Sequence, residues 1–139
     1  MASDEERDVR ILGLMQRGED ELRVATQALE DGRPHLCASR AFRAMHALAA
    51  AVLATRDLAF PDDAETLAAF EAGFVAAGHF PPDIAAALRQ GHRLQQVADG
   101  QPAAEVPAER AQTLLKDAQV FCYTLKDALT KWKQGRALQ

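Results

Sequence analysis

Disulfide-forming cysteine, β-branched residues and long apolar runs are all scarce in this sequence. Two cysteines in 139 residues are too few for a disulfide scaffold. Valine, isoleucine and threonine total only 15, which argues against a sheet protein. The longest charge-free apolar stretch, Ala44 to Thr55, is 12 residues, too short to span a bilayer. The opening, Met1-Ala2-Ser3-Asp4-Glu5-Glu6, is acidic where a secretory signal would be basic and then apolar. A cytoplasmic protein with reduced Cys37 and Cys122 and no membrane contact is therefore expected. The net charge of −4 argues against a generally cationic nucleic-acid or membrane binder, though not against a local basic face.

Alanine is what the chain has in excess: 29 of 139 residues. Alanine is the best helix former, so the composition predicts an all-α protein. The hydrophobic content of 48% is too high for a disordered chain. Turn signals divide the sequence into five helical segments. The first runs from about Ser3 to Asp31, with Ser3 and Glu6 at capping-box spacing. Its apolar stripe reads Ile11, Leu14, Met15, Leu22, Ala25, Leu29, and Gly18 falls on that side, where it permits close helix contact. The second runs from about Pro34 to Leu58. The third opens at Phe60-Pro61-Asp62-Asp63, has Leu67, Phe70 and Phe74 as core positions, and ends at Gly78. The fourth runs from Pro81-Pro82-Asp83 to Asp99-Gly100. A loop, Gln101 to Glu105, precedes the fifth, from about Pro107 to Gln134. The links are short, so neighbours should pack antiparallel. One domain over residues 1–139, an antiparallel five-helix bundle of two long, two shorter and one long helix, accounts for the chain.

Arginine and histidine carry the candidate chemistry. On the second segment, Ala38, Ala41, Phe42, Met45, Leu48, Ala49, Val52 and Leu53 share one broad arc at helical period. Arg40, Arg43, Ala47 and Ala50 fall opposite, flanked by Ser39 and His46. Two readings stand: a solvated face with small residues, or a groove in which a partner helix or a phosphate approaches the alanines while arginine grips an anion. On the fourth segment Arg89, His92, Arg93 and Gln96 share a face. If the two faces met, four arginines and two histidines would gather, a set suited to phosphate binding or RNA cleavage. Metal and cofactor motifs are absent: there is no CxxC, HExxH, Walker loop or GxGxxG, and neither serine sits in a GxSxG elbow. No metal and no cofactor is expected.

The stretch Ser39-Arg40-Ala41-Phe42-Arg43-Ala44-Met45-His46-Ala47 resembles the "SRAYYAMFHA"-like segment of small prokaryotic HEPN-domain proteins. The resemblance continues through Phe70 to Gly78, at Ala98-Asp99 and in the last helix around Phe121, and covers roughly Leu22 to Trp132. It implies an antiparallel helical bundle, commonly a homodimer. Many such proteins are metal-independent ribonucleases with an Arg-x(4–6)-His motif contributed by both subunits, and many are toxins paired with a nucleotidyltransferase antitoxin. Others bind nucleotide, RNA or a partner protein without catalysis. Arg40 and His46, with five residues between, match the motif spacing. The resemblance thus assigns His46 as general acid/base and Arg40 as its catalytic partner. The faces of the second and fourth segments add Arg43, Arg89, His92 and Arg93 as phosphate- or RNA-binding candidates.

This chain departs from the family pattern at several places. Phe42 and Arg43 stand where relatives carry tyrosines, Ala41 follows the motif arginine, and Ala47 follows His46. Arg40 and His46 lie about 120° apart on a regular helix. The only tyrosine, Tyr123, lies on the last segment. The pattern is that of a diverged member with a degraded catalytic motif. The expected function is a nucleotide- or RNA-binding component of a toxin–antitoxin or defence system. The alternative is a noncatalytic module that dimerises or docks a nucleotidyltransferase.

Overall fold

The computed structural model describes residues 3–100 and 105–135. Five α-helices fill it: α1 (Asp4–Glu30), α2 (Pro34–Ala54), α3 (Asp63–Phe70), α4 (Pro82–Ala98) and α5 (Ala108–Lys133). A π-helical turn, Glu71–Val75, extends α3. No strand occurs among the described residues. The all-helical bundle, with its sequence of long and short helices, follows the composition and the turn signals. Of the loop expected from Gln101 to Glu105, all but Glu105 lies outside the described residues.

Local chemistry sets the helix ends. Ser3 caps α1, its Oγ accepting from Glu6 N–H at 3.1 Å and donating to the Glu6 carboxylate. Asp62 caps α3 by accepting from Ala64 N–H at 2.8 Å. α2 stops at Ala54, short of the expected Leu58. Leu58 N–H returns to Leu53 O and Asp57 N–H to Ala54 O, a Schellman closure. Asp57 supplies the left-handed residue that glycine usually provides, with φ 57°. The turn signal was therefore an aspartate, which carries far less weight in a sequence than a glycine.

α2 is the hub and touches every other helix. α1 lies antiparallel to it, with Arg7 paired to Asp57 at one end (3.4 Å) and Arg40 to Glu21 nearer the other (3.2 Å). α4 also runs antiparallel, since Ser39 donates to Asp99 (3.5 Å) while Phe42 meets His92. α5 runs parallel to α2: Cys37 Sγ reaches Ala111 O at 3.8 Å, joining the first turns of both. Consecutive long helices alternate in direction, as expected, but the bundle also holds this parallel pair. Four phenylalanines, Phe42, Phe70, Phe74 and Phe121, are fully buried. Phe70 sits 6.0 Å from Phe74, 5.8 Å from Phe80 and 5.9 Å from Phe121, ring centre to ring centre. Phe70 thereby ties α3 to α5, and Phe74 of the π-helical extension stacks on Phe70.

Small residues let the helices close on α2. A Cβ on Gly18 would stand 2.1 Å from Leu48 Cδ2, and one on Gly91 2.5 Å from Met45 Cε. The expected core arc of α2 is buried throughout. Ala47 is a correction: placed opposite the core by helical period, it is only 3% exposed. A helix with neighbours on nearly all sides has no large solvent face, and α1 covers Ala47 as α4 and α5 cover the opposite arc. By length and composition α2 would also cross a membrane, but 67% of its most apolar window is buried in the bundle.

Candidate functional site

The seam between α1 and α2 gathers the cations. α1 contributes Arg10 and Arg17, α2 contributes Arg40, Arg43 and His46, and the turn between the helices brings Arg33, with His35 beside it on the first turn of α2. Three cavities lie along the seam, and two of them share Arg17 and Arg43. The smaller, about 180 Å³, is walled by Leu14, Ala47, Ala50, Leu53 and Phe60 and rimmed by Arg10, Arg17, Arg43 and His46. The larger, about 650 Å³, is lined by Arg17, Arg33, His35, Arg40 and Arg43, with Glu21 and Asp99 among its walls. Arg17 and Arg43 border both. Among the described residues, Arg10, Arg17 and Arg33 have no carboxylate within ion-pair distance. The seam is therefore cationic on a protein whose net charge is −4.

Asp63, the first residue of α3, organises the middle of this seam. Arg43 forks onto it, Nη1 to Oδ1 at 3.3 Å and Nη2 to Oδ2 at 3.2 Å. Such a bidentate pair fixes the guanidinium plane. Asp63 Oδ1 also lies 3.2 Å from His46 Nε2. That contact is close but misaligned, because the buried Nε2 makes no hydrogen bond. Burial lowers the His46 pKa below its ordinary value of 6.5; Asp63 opposes the shift, and Arg43, Arg17 and His92 add to it. His46 is consequently neutral at pH 7, and the fixed positive charge of the rim comes from arginine.

The sequence-derived site residues separate into two groups. Arg43 and His46 meet at the smaller cavity, while Arg40 faces the larger one and pairs with Glu21 at 3.2 Å. Within one chain, then, Arg40 and His46 line different cavities. His92 packs on the Phe42 ring at 5.2 Å, and His46 approaches the same ring at 5.9 Å. Arg89 pairs with Glu71 on the π turn. Arg93 donates to Gln90 at 2.7 Å and is exposed. None of Arg89, His92 and Arg93 lines a seam cavity. The α2 and α4 faces meet through Phe42 and His92, leaving the α4 arginines outside.

Arg10, Arg17, Arg33 and Asp63 were not found by reading the sequence. Arg10, Leu14 and Arg17 stand at i, i+4 and i+7, one stripe of a helix. That spacing was a usable signal, but nothing in it says that the stripe will border α2. Asp63 read only as a favourable charge at a helix start. No cluster of metal-ligating side chains occurs among the described residues.

The geometry defines a class: an all-helical bundle whose first two helices enclose an arginine-rimmed seam. No protein-family model matches the chain. No curated protein matches it either.

Proposed function

We propose that this protein is a HEPN-like domain that binds RNA or nucleotide phosphates along the α1–α2 seam, as part of a toxin–antitoxin or defence system. The observation that carries the reading is the sharing of Arg17 and Arg43 by two adjoining cavities that together gather five arginines. Guanidinium groups grip phosphate in a fork, and a row of them tracks a polyanion. The resemblance of Ser39 to Ala47 to the HEPN segment supports the same reading. Binding, rather than cleavage, suits a single chain in which Arg40 is paired with Glu21 and His46 is held beside Asp63. Cleavage by His46 and Arg40 would need a second subunit to complete the site.

The experiment is titration of a labelled single-stranded RNA at rising salt. For single strands, log affinity falls against log salt with a slope of about −0.7 per phosphate neutralised. Arg17→Ala should weaken binding and make the slope shallower by about 0.7. An unchanged slope in a folded Arg17→Ala protein would remove the seam from the interface.

A second reading, a noncatalytic docking or dimerisation module, rests on a different surface. Val120 and Tyr123 on α5 are 63% and 66% exposed. A groove of about 580 Å³ between α1 and α5 runs beside Tyr123, walled by Met15, Leu22 and Leu48. This reading expects a stable protein complex or homodimer indifferent to Arg17→Ala and Arg43→Ala, and disrupted by Tyr123→Asp.

A further inference from the structure

The smaller seam cavity has a composition that phosphate binding alone does not use. Its arginines and His46 stand at the rim, and its walls are leucine, alanine and Phe60, with Thr66 among them, whose hydroxyl donates to Asp62 O. A phosphate is strongly hydrated and gains nothing from leucine walls. A planar ring with an apolar face does gain from them, and a cavity of about 150 Å³ is enough for benzene. At about 180 Å³ the cavity fits one six-membered ring and is tight for a fused pair. The larger cavity, about 650 Å³, lies in the range that holds a drug-sized ligand. Arg17 and Arg43, standing between the two, are where the phosphate linking a buried ring to the next nucleotide would lie.

We infer that the seam takes one unpaired pyrimidine base of a single-stranded RNA into the Leu14–Ala50–Phe60 cavity, with its flanking phosphates on Arg17 and Arg43. The inference rests on the RNA-binding reading above and adds the form of the RNA. A paired base cannot enter, because its face is stacked and its edge is occupied. Selection is therefore for single strands, and for pyrimidine over purine.

The test compares four probes on the wild-type protein at one salt concentration. They are a short oligouridylate, the same strand with abasic sites, an oligoadenylate of equal length and a fully paired duplex. Base insertion is worth roughly 5- to 150-fold in affinity. The oligouridylate should exceed each of the others by an amount in that range. Ala50→Leu, which fills the cavity from its floor and leaves every charge in place, should abolish the preference while keeping the salt slope. Helical circular dichroism and thermal unfolding verify that the variant is folded. Equal affinity for the oligouridylate and its abasic form would overturn the inference, as would a preference for oligoadenylate. An intact preference in folded Ala50→Leu would do the same. Failure of every RNA probe to bind would instead refute the RNA-binding reading itself, and this inference with it.

Discussion

Alanine placed at Gly13 and at Gly18 probes the α1–α2 seam with one chemical change in two settings. Both glycines lie inside α1, so each substitution carries the same helix-propensity gain of about 1 kcal/mol. A Cβ at Gly13 meets nothing within 4 Å. A Cβ at Gly18 would lie 2.1 Å from Leu48 Cδ2 and 3.4 Å from Ala44 O. Leu48 is buried except where it borders the α1–α5 groove, so its methyl can retreat only toward that side. Forcing a methyl into a packed core costs about 1–3 kcal/mol. Gly13→Ala should therefore stabilise by about 1 kcal/mol. Gly18→Ala should run from near neutral to about 2 kcal/mol destabilising. The difference between the two, about 1–3 kcal/mol, isolates the close approach because the propensity term cancels. Urea unfolding followed by circular dichroism measures it directly. Leu48→Ala supplies the cross-check. In that background the clash disappears, and Gly18→Ala should become favourable, giving a coupling of about 1 kcal/mol or more between the two sites. If Gly18→Ala stabilises as much as Gly13→Ala in the native background, α1 does not sit on α2 as described, and the seam arginines need not converge.

The site and the core give three further expectations. Burial lowers the His46 pKa, so the folded state holds fewer protons than the unfolded state as pH falls below about 6.5. Stability contributed by neutral His46 is present above that value and is lost as pH drops; His46→Gln should flatten the decline between pH 7.5 and 5.5, measured by thermal unfolding, and an unaltered decline would assign it to other groups. Asp63→Asn removes the carboxylate that occupies the Arg43 fork and should tighten single-stranded RNA binding severalfold in the salt titration, whereas weakened binding would show that Arg43 needs Asp63 for its orientation. Burial raises the Cys37 thiol pKa and pushes that of Cys122 up to about 12, so neither thiol should react with iodoacetamide at pH 8 until denaturant is added, and rapid alkylation of Cys122 in the native protein would show that the α1–α5 groove opens.

The fold was legible in the sequence wherever apolar period and turn chemistry agreed. Ser3 and Pro34 mark helix starts, and the α5 stripe from Leu114 to Leu129 is buried as its spacing requires. Legibility failed where a residue did an unusual task, as with Asp57 in a left-handed turn and the π turn that continues α3. The site was half legible. Arg43 and His46 stood out because they share α2 with a run of alanines, and both reach the smaller cavity. Arg10 and Arg17 look like ordinary surface arginines, since only the pairing of α1 with α2 brings them to the same rim. Arg89 and Arg93 carried the same local signal as Arg43, yet α4 turns them toward Glu71 and Gln90. Helical period places a side chain on a face; which helix that face borders is decided by the packing of the whole bundle.

Alanine links the packing to the site. Helix axes approach most closely where the side chains between them are smallest. Gly18, Ala44 and Ala47 occupy the α1–α2 contact, so Arg17 of α1 and Arg43 of α2 can border the same two cavities. Larger residues along this line would widen the seam, and arginines on opposite helices would then act as separate charges. Ala47 and Ala50 also leave the space that forms the smaller cavity, while α1 closes over it and keeps it narrow. The alanines first read as a floor beneath exposed cations are thus more deeply placed than helical period suggested. They are the spacers that hold two rows of arginine at one rim, and the charge on that rim is local to a surface that is acidic on the whole. Affinity along the seam should accordingly depend on helix packing as much as on any single guanidinium.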